Sequence, residues 1–415
     1  MAISVWMGSV LAFCSMAIFG CVLHRLLRLD LTLAALLSGV LGGVLIERLS
    51  LDIGLRFEHV HDLVFYLFLP ILIFQAAWHL QIEQLQRWLL PAILLATLGV
   101  LITAGVIAGA LQWAMGSPSG FPWIAALLTG AILAATDPVA VVTKLTELKA
   151  SKELTTVFEG ESLLNDATAV VLFSLILMLA TGEQEGVTAR SVLWLFAQVF
   201  FGGLVVGAAL GYLTQRLIRY LNHEEMSVVL ILLLAFGAFY LAEHVLHVSG
   251  MMAVATAALV ANAGLQRAQP ASPAEAEAPK FGGIALALDW LGLLFNLLIF
   301  CLMGLVITFD MFTERYLAMG LAIGAALLGR FVALAVCQGG LKGIGQGLPQ
   351  GWPLLLGWGG LRGAIAVALV LSLPLSLSWW WTVQSMVFAV VLFSLLVQGT
   401  TFAALLRYIN KKHPY

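Results

Sequence analysis

Long apolar stretches separated by short polar loops run along the whole chain. A helix needs about 20 mostly apolar residues to cross the ~30 Å hydrocarbon core of a bilayer. Thirteen stretches meet or approach that length: residues 3–23, 31–46, 63–78, 88–114, 122–145, 154–180, 191–215, 226–242, 248–265, 284–308, 316–338, 352–373 and 381–406. The third is short, and we expect it to continue toward Gln81. The pattern predicts an all-α, polytopic membrane protein with about 13 transmembrane helices.

Composition narrows the class of protein further. Of the 415 residues, 61% are hydrophobic and only 10% are charged, against about 25% charged in soluble domains. A soluble enzyme is therefore excluded, and the net charge of −2 excludes a basic nucleic-acid binder. The four cysteines lie in apolar stretches without metal-ligand spacing, which favours simple packing roles. No motif for hydrolytic or redox chemistry is present, so we expect no enzyme.

Basic residues predict the orientation of the chain. Nothing before the first stretch is positively charged, which argues against a signal peptide, whereas Arg25 and Arg28 follow it. With 13 alternating spans, 14 of the 20 Lys and Arg fall on the side of Arg25. Four fall on the opposite side, namely Arg48, Arg56, Arg190 and Arg315. Because basic loops stay cytoplasmic, we expect the amino terminus outside and the carboxyl terminus in the cytoplasm.

Two spans are interrupted in a comparable way. The fifth contains Thr136-Asp137-Pro138, and the twelfth contains four glycines between 357 and 363. Paired broken spans are typical of a transporter site between inverted repeats, although Gly and Pro are also ordinary in membrane helices. Residues 269–280, rich in Ala, Pro and Glu, predict a flexible cytoplasmic loop. We expect residues 1–415 to form one transmembrane unit without a soluble domain.

Ionisable residues inside the spans are the candidates for function, since each costs about 2.5–3.5 kcal/mol at mid-helix. They are Asp137, Glu159, Glu161, Asp166, Asp289, Arg330 and Arg362. The densest group lies on the sixth span, where helical spacing puts Ser162 and Asp166 on one face and Glu161 and Asn165 beside it. Such groups line an aqueous cavity or pair with other helices.

The chemistry of this cluster favours small monovalent cations. Hard oxygen ligands suit Na⁺, K⁺ or Li⁺, and the cluster has no His or Cys for zinc. A desolvated Asp166 can hold a proton or a cation but not both, which is what cation/proton exchange requires, and burial favours its protonated form. A buried ion-pair network that only holds helices together remains the structural alternative.

The breaks in the helices call for charge compensation. Pro138 removes a backbone donor, so carbonyls near Asp137 are free to coordinate a cation. Asp137 could balance the positive end of a half-helix, and Arg362 could balance carbonyl ends. Arg330 needs an anionic partner, for which Glu161 and Glu159 are both available.

Several segments resemble the monovalent cation/proton antiporter-1 family, which includes bacterial NhaP-type antiporters and animal Na⁺/H⁺ exchangers. The segment GESLLNDATAVVLF at 160–173 closely resembles the sixth span of that family. Similar segments are FLPILIFQAA at 68–77, ATDPVAVV at 135–142, HVSGMMAV at 247–254, LFNLLIF at 294–300 and GWGGLRGAIA at 357–366. The resemblance covers most of the chain in the family's order.

The resemblance implies roles for individual residues. Asn165 and Asp166 would form the exchange centre, with Asp166 as cation ligand and proton carrier. Ser162, Thr136 and Asp137 would complete the coordination, so that Na⁺ would meet Asp166, Ser162 and Thr136. Glu161 would pair with Arg330, and Arg362 would lie at the broken twelfth span. Gln75 stands where relatives often have an acid and is assigned no role.

The resemblance also implies a fold and a mode of action. The fold would have two crossed, unwound helices, a core domain including 63–180 and 284–373, and a dimerisation domain including 1–46 and 191–265. Relatives are homodimers that work by elevator-like alternating access. A neutral Asn165 leaves one titrating carboxylate, which suits electroneutral one-for-one exchange. We expect Na⁺ (or Li⁺, K⁺) exchange for protons, pH and Na⁺ homeostasis, a bacterial inner membrane, and no cofactor.

Two other functions are compatible with the residues alone. A passive cation channel could use Asp166 and the broken helices, although a pore needs no site at which protons compete. A non-transporting scaffold or sensor could use the same charges structurally. Ion flux separates the three, because only an antiporter collapses a preset pH gradient when cation is added.

Overall fold

The computed structural model describes residues 3–48, 63–80, 82–116, 120–181, 189–267 and 282–412, and every regular element in these ranges is a helix. The helices follow the predicted spans in order. They are Ile3–Leu27, Leu31–Arg48, Leu63–His79, Ile82–Leu94 continued through Leu95–Gly99 and Val100–Met115, Trp123–Ala134 with Val139–Glu147, Lys152–Ala180, Ala189–Leu221, Glu224–Val245, Gly250–Gln266, Gly282–Val306, Tyr316–Gly343, Trp352–Trp358 with Ala364–Leu371, and Trp380–Lys412. A short helix, Phe309–Glu314, precedes the eleventh span.

The predicted all-helical, polytopic class is confirmed. Within the described ranges, seven helices are long and apolar enough to cross a membrane by length and composition, and shorter apolar helices accompany them. The third span ends at His79. Gln81 and the predicted loop at 269–280 lie outside the described residues.

The sixth span is a single long helix with a defined start. The Ser151 hydroxyl accepts a hydrogen bond from the Leu154 amide at 3.3 Å, which satisfies one of the free donors of the first turn. Glu153 in that turn complements the helix dipole and pairs with Arg87 of the fourth span at 2.9 Å. Most of the helix is buried among other spans, so its polar residues face protein rather than lipid.

The spans pack in two groups. Bundle A comprises the fourth, fifth, sixth, eleventh, twelfth and thirteenth spans, and bundle B comprises the first, second, third, seventh, eighth, ninth and tenth. The sixth span and the second half of the twelfth connect bundle A to bundle B. The sequence-based division placed the third and tenth spans with the core, whereas they pack mainly on the second, eighth and ninth spans.

Small residues allow close helix contacts inside bundle B. A side-chain carbon on Gly39 of the second span would overlap the Cys301 carbonyl of the tenth, and one on Gly304 would overlap the Leu36 carbonyl. Because lipid gives no hydrophobic drive for helix association, such close packing is a main source of stability within a membrane. The second and tenth spans are therefore joined along their backbones.

The two interrupted spans meet at their breaks. The amide of Asp137, in the break of the fifth span, donates to the carbonyl of Leu361, in the break of the twelfth, at 2.8 Å. Unwound backbone at membrane depth must have its polar groups satisfied inside the protein, and this bond satisfies one group from each break. The crossing lies against the polar face of the sixth span and so determines where the candidate site lies.

Candidate functional site

Arg362 satisfies the carbonyl end of the other broken helix. Its Nη1 donates to the carbonyls of Ala134 and Ala135, at 3.3 and 3.0 Å, where the first half of the fifth span ends. The side chain is buried. A guanidinium at this point compensates the negative end of the half-helix dipole. The arginine of the twelfth span therefore satisfies and stabilises the carbonyl end of the first half of the fifth span.

The Asp137 side chain, from the break of the fifth span, lies next to the start of the second half of the twelfth span. A side-chain carbon on Gly363 would overlap the Asp137 carboxylate, and the half-helix Ala364–Leu371 begins at the next residue. Amide groups at a helix start favour a nearby negative charge. The absence of a side chain at Gly363 makes space for the Asp137 carboxylate. Each broken span therefore supplies the charge that compensates a half-helix end of the other: Arg362 for the fifth span and Asp137 for the twelfth.

Glu161 and Arg330 form a bidentate ion pair. Arg330 Nη1 bonds Glu161 Oε1, and Nη2 donates to Oε2 at 2.9 Å. The side chains are only 2% and 6% exposed. The same guanidinium donates to the Leu356 carbonyl at 3.0 and 3.2 Å, near the end of the first half of the twelfth span. Of the two acids that the sequence offered, the structure pairs Glu161, while Glu159 lines a cavity.

The sixth span holds the break of the fifth through two side chains. Ser162 Oγ donates to the Thr136 carbonyl, and Asn165 Nδ2 donates to Thr136 Oγ1 at 2.9 Å. Asp166 follows, only 7% exposed. Its Oδ1 and that of Asn165 are buried and lack a hydrogen-bond partner among the described residues. The structure thus brings together all five residues proposed for ion binding.

A cavity of about 620 Å³ separates the bundles and reaches this cluster. Bundle A contributes Asp137, Pro138, Val142, Thr143, Glu159, Ser162, Leu163, Asp166, Ala364 and Ile365. Bundle B contributes Leu72, Gln75, Ala76, His79, Asp289, Gly292, Leu293 and Asn296. Asp166 is at its buried end, whereas the side chains of His79 and Asp289 are 42% and 50% exposed. The cavity therefore connects the buried Asp166 carboxylate with the half-exposed residues His79 and Asp289.

Sequence reasoning missed part of the cavity wall. Gln75 was assigned no role and His79 was overlooked, yet both contact Asp289 of the tenth span. A signal was available, because Gln75 and His79 are spaced i, i+4 on an otherwise apolar helix and share a face. Their partner lies more than 200 residues away, which spacing along the chain does not reveal.

The donors around Asp166 suit a small monovalent cation as cargo. A carboxylate, a serine hydroxyl, and the hydroxyl and carbonyl of Thr136 are all oxygen ligands. Such hard ligands favour alkali and alkaline-earth cations over transition metals. One carboxylate oxygen without a hydrogen-bond partner can take a proton or a cation, and the two exclude each other.

The chain is similar to known proteins over nearly its whole length. A family model described as "Sodium/hydrogen exchanger, transmembrane" matches residues 11–408. The chain is 33% identical over 412 residues to the Na⁺/H⁺ antiporter NhaP of Pseudomonas aeruginosa, covering 94% of each chain. It is 34% identical over 349 residues to the Na⁺/H⁺ antiporter NhaH of Halobacillus dabanensis, covering 82% of this chain and 81% of the relative.

A solved structure supports the fold independently. The sodium proton antiporter MjNhaP1 of Methanocaldococcus jannaschii, at pH 8, superposes with a TM-score of 0.78. The match covers 97% of this chain and 98% of the other at 21% sequence identity. At that identity the likeness establishes the arrangement of helices.

Proposed function

This chain belongs to the sodium/hydrogen exchanger family, and we propose that it is a multi-pass antiporter in which Asp166 binds a monovalent cation and a proton in alternation. The observation that carries the proposal is the Asp166 carboxylate itself. It is buried, has one oxygen that lacks a hydrogen-bond partner within the described part of the chain, and lies at the end of a cavity. A carboxylate in this position exchanges one bound cation for one proton.

Coordination of the cation uses groups that already surround Asp166. Ser162 and the Thr136 hydroxyl and carbonyl supply neutral oxygens, and Asp137 lines the same cavity. Asn165 donates to the Thr136 hydroxyl and so leaves that oxygen's remaining lone pair available for the cation. The cation replaces part of its hydration shell with these oxygens. Na⁺ is the expected cargo, with Li⁺ and K⁺ as the alternatives.

Charge counting supports an electroneutral cycle. Glu161 is neutralised by Arg330, and Asn165 carries no charge beside Asp166. A single carboxylate then carries one cation across the membrane in one direction and one proton in the other. Each cycle therefore moves no net charge. Resident cofactors have no part in this scheme, and the role is transport rather than enzymatic catalysis.

The two bundles suggest which part moves. Bundle A contains both broken spans and Asp166, and the cavity follows its boundary with bundle B. Bundle A is the proposed moving core, which carries Asp166 between the two sides of the membrane. Bundle B is the proposed dimerisation scaffold, so that two copies of the chain form a homodimer.

Orientation and location complete the proposal. The excess of Lys and Arg on the side of Arg25 favours an external amino terminus and a cytoplasmic carboxyl terminus. The third span then ends on the cytoplasmic side, and the cavity mouth at His79 faces the cytoplasm. A bacterial inner membrane is the expected location, where the protein would serve pH and Na⁺ homeostasis.

The test is cation-dependent proton flux in proteoliposomes that carry a preset pH gradient. Asp166→Asn should abolish the collapse of the gradient on addition of Na⁺, because the amide neither carries a proton nor neutralises a cation. Asp310→Asn is the matched control, since Asp310 is exposed on the short helix before the eleventh span. That variant should exchange at the wild-type rate.

Other outcomes would change the assignment. Retained exchange in Asp166→Asn would remove Asp166 from the mechanism. Flux driven by membrane potential, without coupled proton movement, would indicate a channel. Wild-type protein that moves neither ion would indicate a scaffold. Comparison of Na⁺, Li⁺ and K⁺ in the same assay identifies the cargo.

A further inference from the structure

Three helices present the same helical stripe to the cavity, with spacing i, i+3, i+4, i+7. On the sixth span the stripe is Glu159, Ser162, Leu163 and Asp166; on the third it is Leu72, Gln75, Ala76 and His79; on the tenth it is Asp289, Gly292, Leu293 and Asn296. Residues at this spacing form one face of a helix over two turns. The cavity therefore has two levels, separated by seven helical residues, or about 10 Å.

The mouth level carries a pair of ionisable groups that the proposed exchange does not use. His79 Nε2 lies 2.7 Å from Asp289 Oδ1, joining the end of the third span to the tenth. Gln75 Nε2 donates to the same oxygen at 3.4 Å. A side-chain carbon on Gly292 would overlap the Gln75 amide, so the glycine makes room for this contact. Asp289 is thus held in place by bundle B.

Stability alone is a weak explanation for this pair. Its side chains are 42% and 50% exposed, and ion pairs exposed to this extent contribute about 0–1 kcal/mol. Spans three and ten are already joined to neighbouring helices along apolar faces. By contrast, a carboxylate at a cavity mouth acts on every cation that passes, because low-dielectric walls focus its field.

Among the residues that the structure describes, few charged groups surround the pair. Glu159, Asp137 and Asp166 line the same cavity from bundle A, and His79 is the basic side chain in that lining. On the eighth span, which packs on the tenth, Glu224 accepts a hydrogen bond from the Gly283 amide at 2.9 Å. Arg267 follows the ninth span, which packs on the third. The second half of the twelfth span has no ionisable residue.

We propose that Asp289 attracts monovalent cations into the cavity and that protonation of His79 cancels this attraction. With neutral His79 the pair carries one negative charge, and with protonated His79 it carries none. Protonation of the imidazole adds one positive charge beside Asp289, so the attraction should weaken as the medium becomes more acidic. The inference rests on the proposed antiport, because it concerns cation supply to Asp166.

The size of the effect follows from distance. A unit charge about 10 Å from the Asp166 level changes cation occupancy roughly 2-fold at the dielectric constant of water and roughly 15-fold at an effective constant of 20. The half-saturating cation concentration should change by a factor between these limits. The maximal rate should stay the same, since the pair does not touch the cation at Asp166.

The experiment measures exchange against Na⁺ concentration at pH 6 and pH 8 in proteoliposomes. Asp289→Asn should raise the half-saturating concentration at pH 8 by about 2- to 15-fold, and Asp289→Glu should restore most of the loss. His79→Gln should leave pH 8 unchanged and lower the half-saturating concentration at pH 6. Each variant is compared with wild type at the same pH, so that proton competition at Asp166 affects both proteins equally and cancels from the ratio.

Ionic strength separates attraction from structure. Choline chloride shortens the Debye length to about 10 Å at 0.1 M and about 3 Å at 1 M, so it should shrink the difference between Asp289→Asn and wild type. A purely structural pair would instead change the maximal rate or the thermal midpoint equally at both pH values. That result, or His79→Gln behaving alike at pH 6 and pH 8, would overturn the proposal. Absence of exchange in wild type would instead refute the antiport itself.

Discussion

Replacing Arg330 with alanine would leave the Glu161 carboxylate buried without its partner. Both side chains are almost fully enclosed, and the pair joins the sixth span to the eleventh. The same substitution removes the donors that hold the Leu356 carbonyl of the twelfth span. Three spans of bundle A therefore lose a common contact in a single variant.

The magnitude can be worked from these contacts. Breaking a buried ion pair by removing one partner costs about 3–5 kcal/mol. The unsatisfied Leu356 carbonyl adds about 1–3 kcal/mol, counted once because both bonds share one acceptor. Arg330→Ala should thus lose at least about 4 kcal/mol of stability.

The assay is unfolding of the purified protein in detergent, followed by tryptophan fluorescence. Arg330→Lys keeps the charge without the bidentate geometry and should lie between wild type and Arg330→Ala. The double variant Glu161→Gln, Arg330→Met removes both charges and should recover much of the loss, because no buried charge is left unpaired. An unchanged unfolding midpoint in Arg330→Ala, or a double variant no better than the single one, would refute the reasoning.

Further predictions concern the crossing of the broken spans. Gly363→Ala should cut exchange at least about tenfold while the protein still inserts, because the added carbon displaces the Asp137 carboxylate. Asn165→Ala should raise the half-saturating cation concentration several-fold, since the Thr136 hydroxyl loses its donor, whereas Asn165→Asp should make exchange generate a membrane potential. Gln398→Ala should cost about 1 kcal/mol of stability, because Nε2 donates at 3.0 Å to the last carbonyl before the twelfth-span break.

Matched controls and contrary outcomes are available for these variants. Gly320→Ala, on the eleventh span, adds the same carbon into open space and should leave exchange unchanged. Equal activity of the two glycine variants would mean that Asp137 tolerates displacement. A potential-sensitive dye that reports no charge movement in Asn165→Asp would contradict the charge count. Thermal unfolding of Gln398→Ala at the wild-type midpoint would remove that contact from the list of stabilising bonds.

Much of the fold was predictable because a bilayer imposes simple requirements. Each span must be apolar, long and internally hydrogen-bonded, so hydropathy located the apolar helices of the described ranges, including both interrupted ones. The division into bundles was not predictable in the same way. The third and tenth spans are as apolar as the others, and their contacts with the eighth, ninth and second spans depend on side-chain shape. Hydropathy carries no information about which apolar faces meet.

For the candidate site, too, local spacing predicted some features and tertiary packing decided others. Local spacing on the sixth span placed Ser162, Asn165 and Asp166 together, since three or four residues along a helix define a shared face. The rule that a buried charge needs a partner showed that Arg330 requires an acid, but it left Glu159 and Glu161 equivalent. Only the packed structure shows that Arg330 pairs with Glu161 and that Glu159 lines the cavity.

By itself, then, the sequence determined the helical, polytopic class, the positions of the breaks and the residues whose charge demands an explanation. These depend on nearest neighbours along one helix and on the cost of polarity in hydrocarbon. Tertiary structure alone decided that Arg362 donates hydrogen bonds to carbonyls of the fifth span and that His79 contacts Asp289. Those pairs join groups more than 200 residues apart, and their distance is set by how whole helices pack rather than by any local preference of the chain.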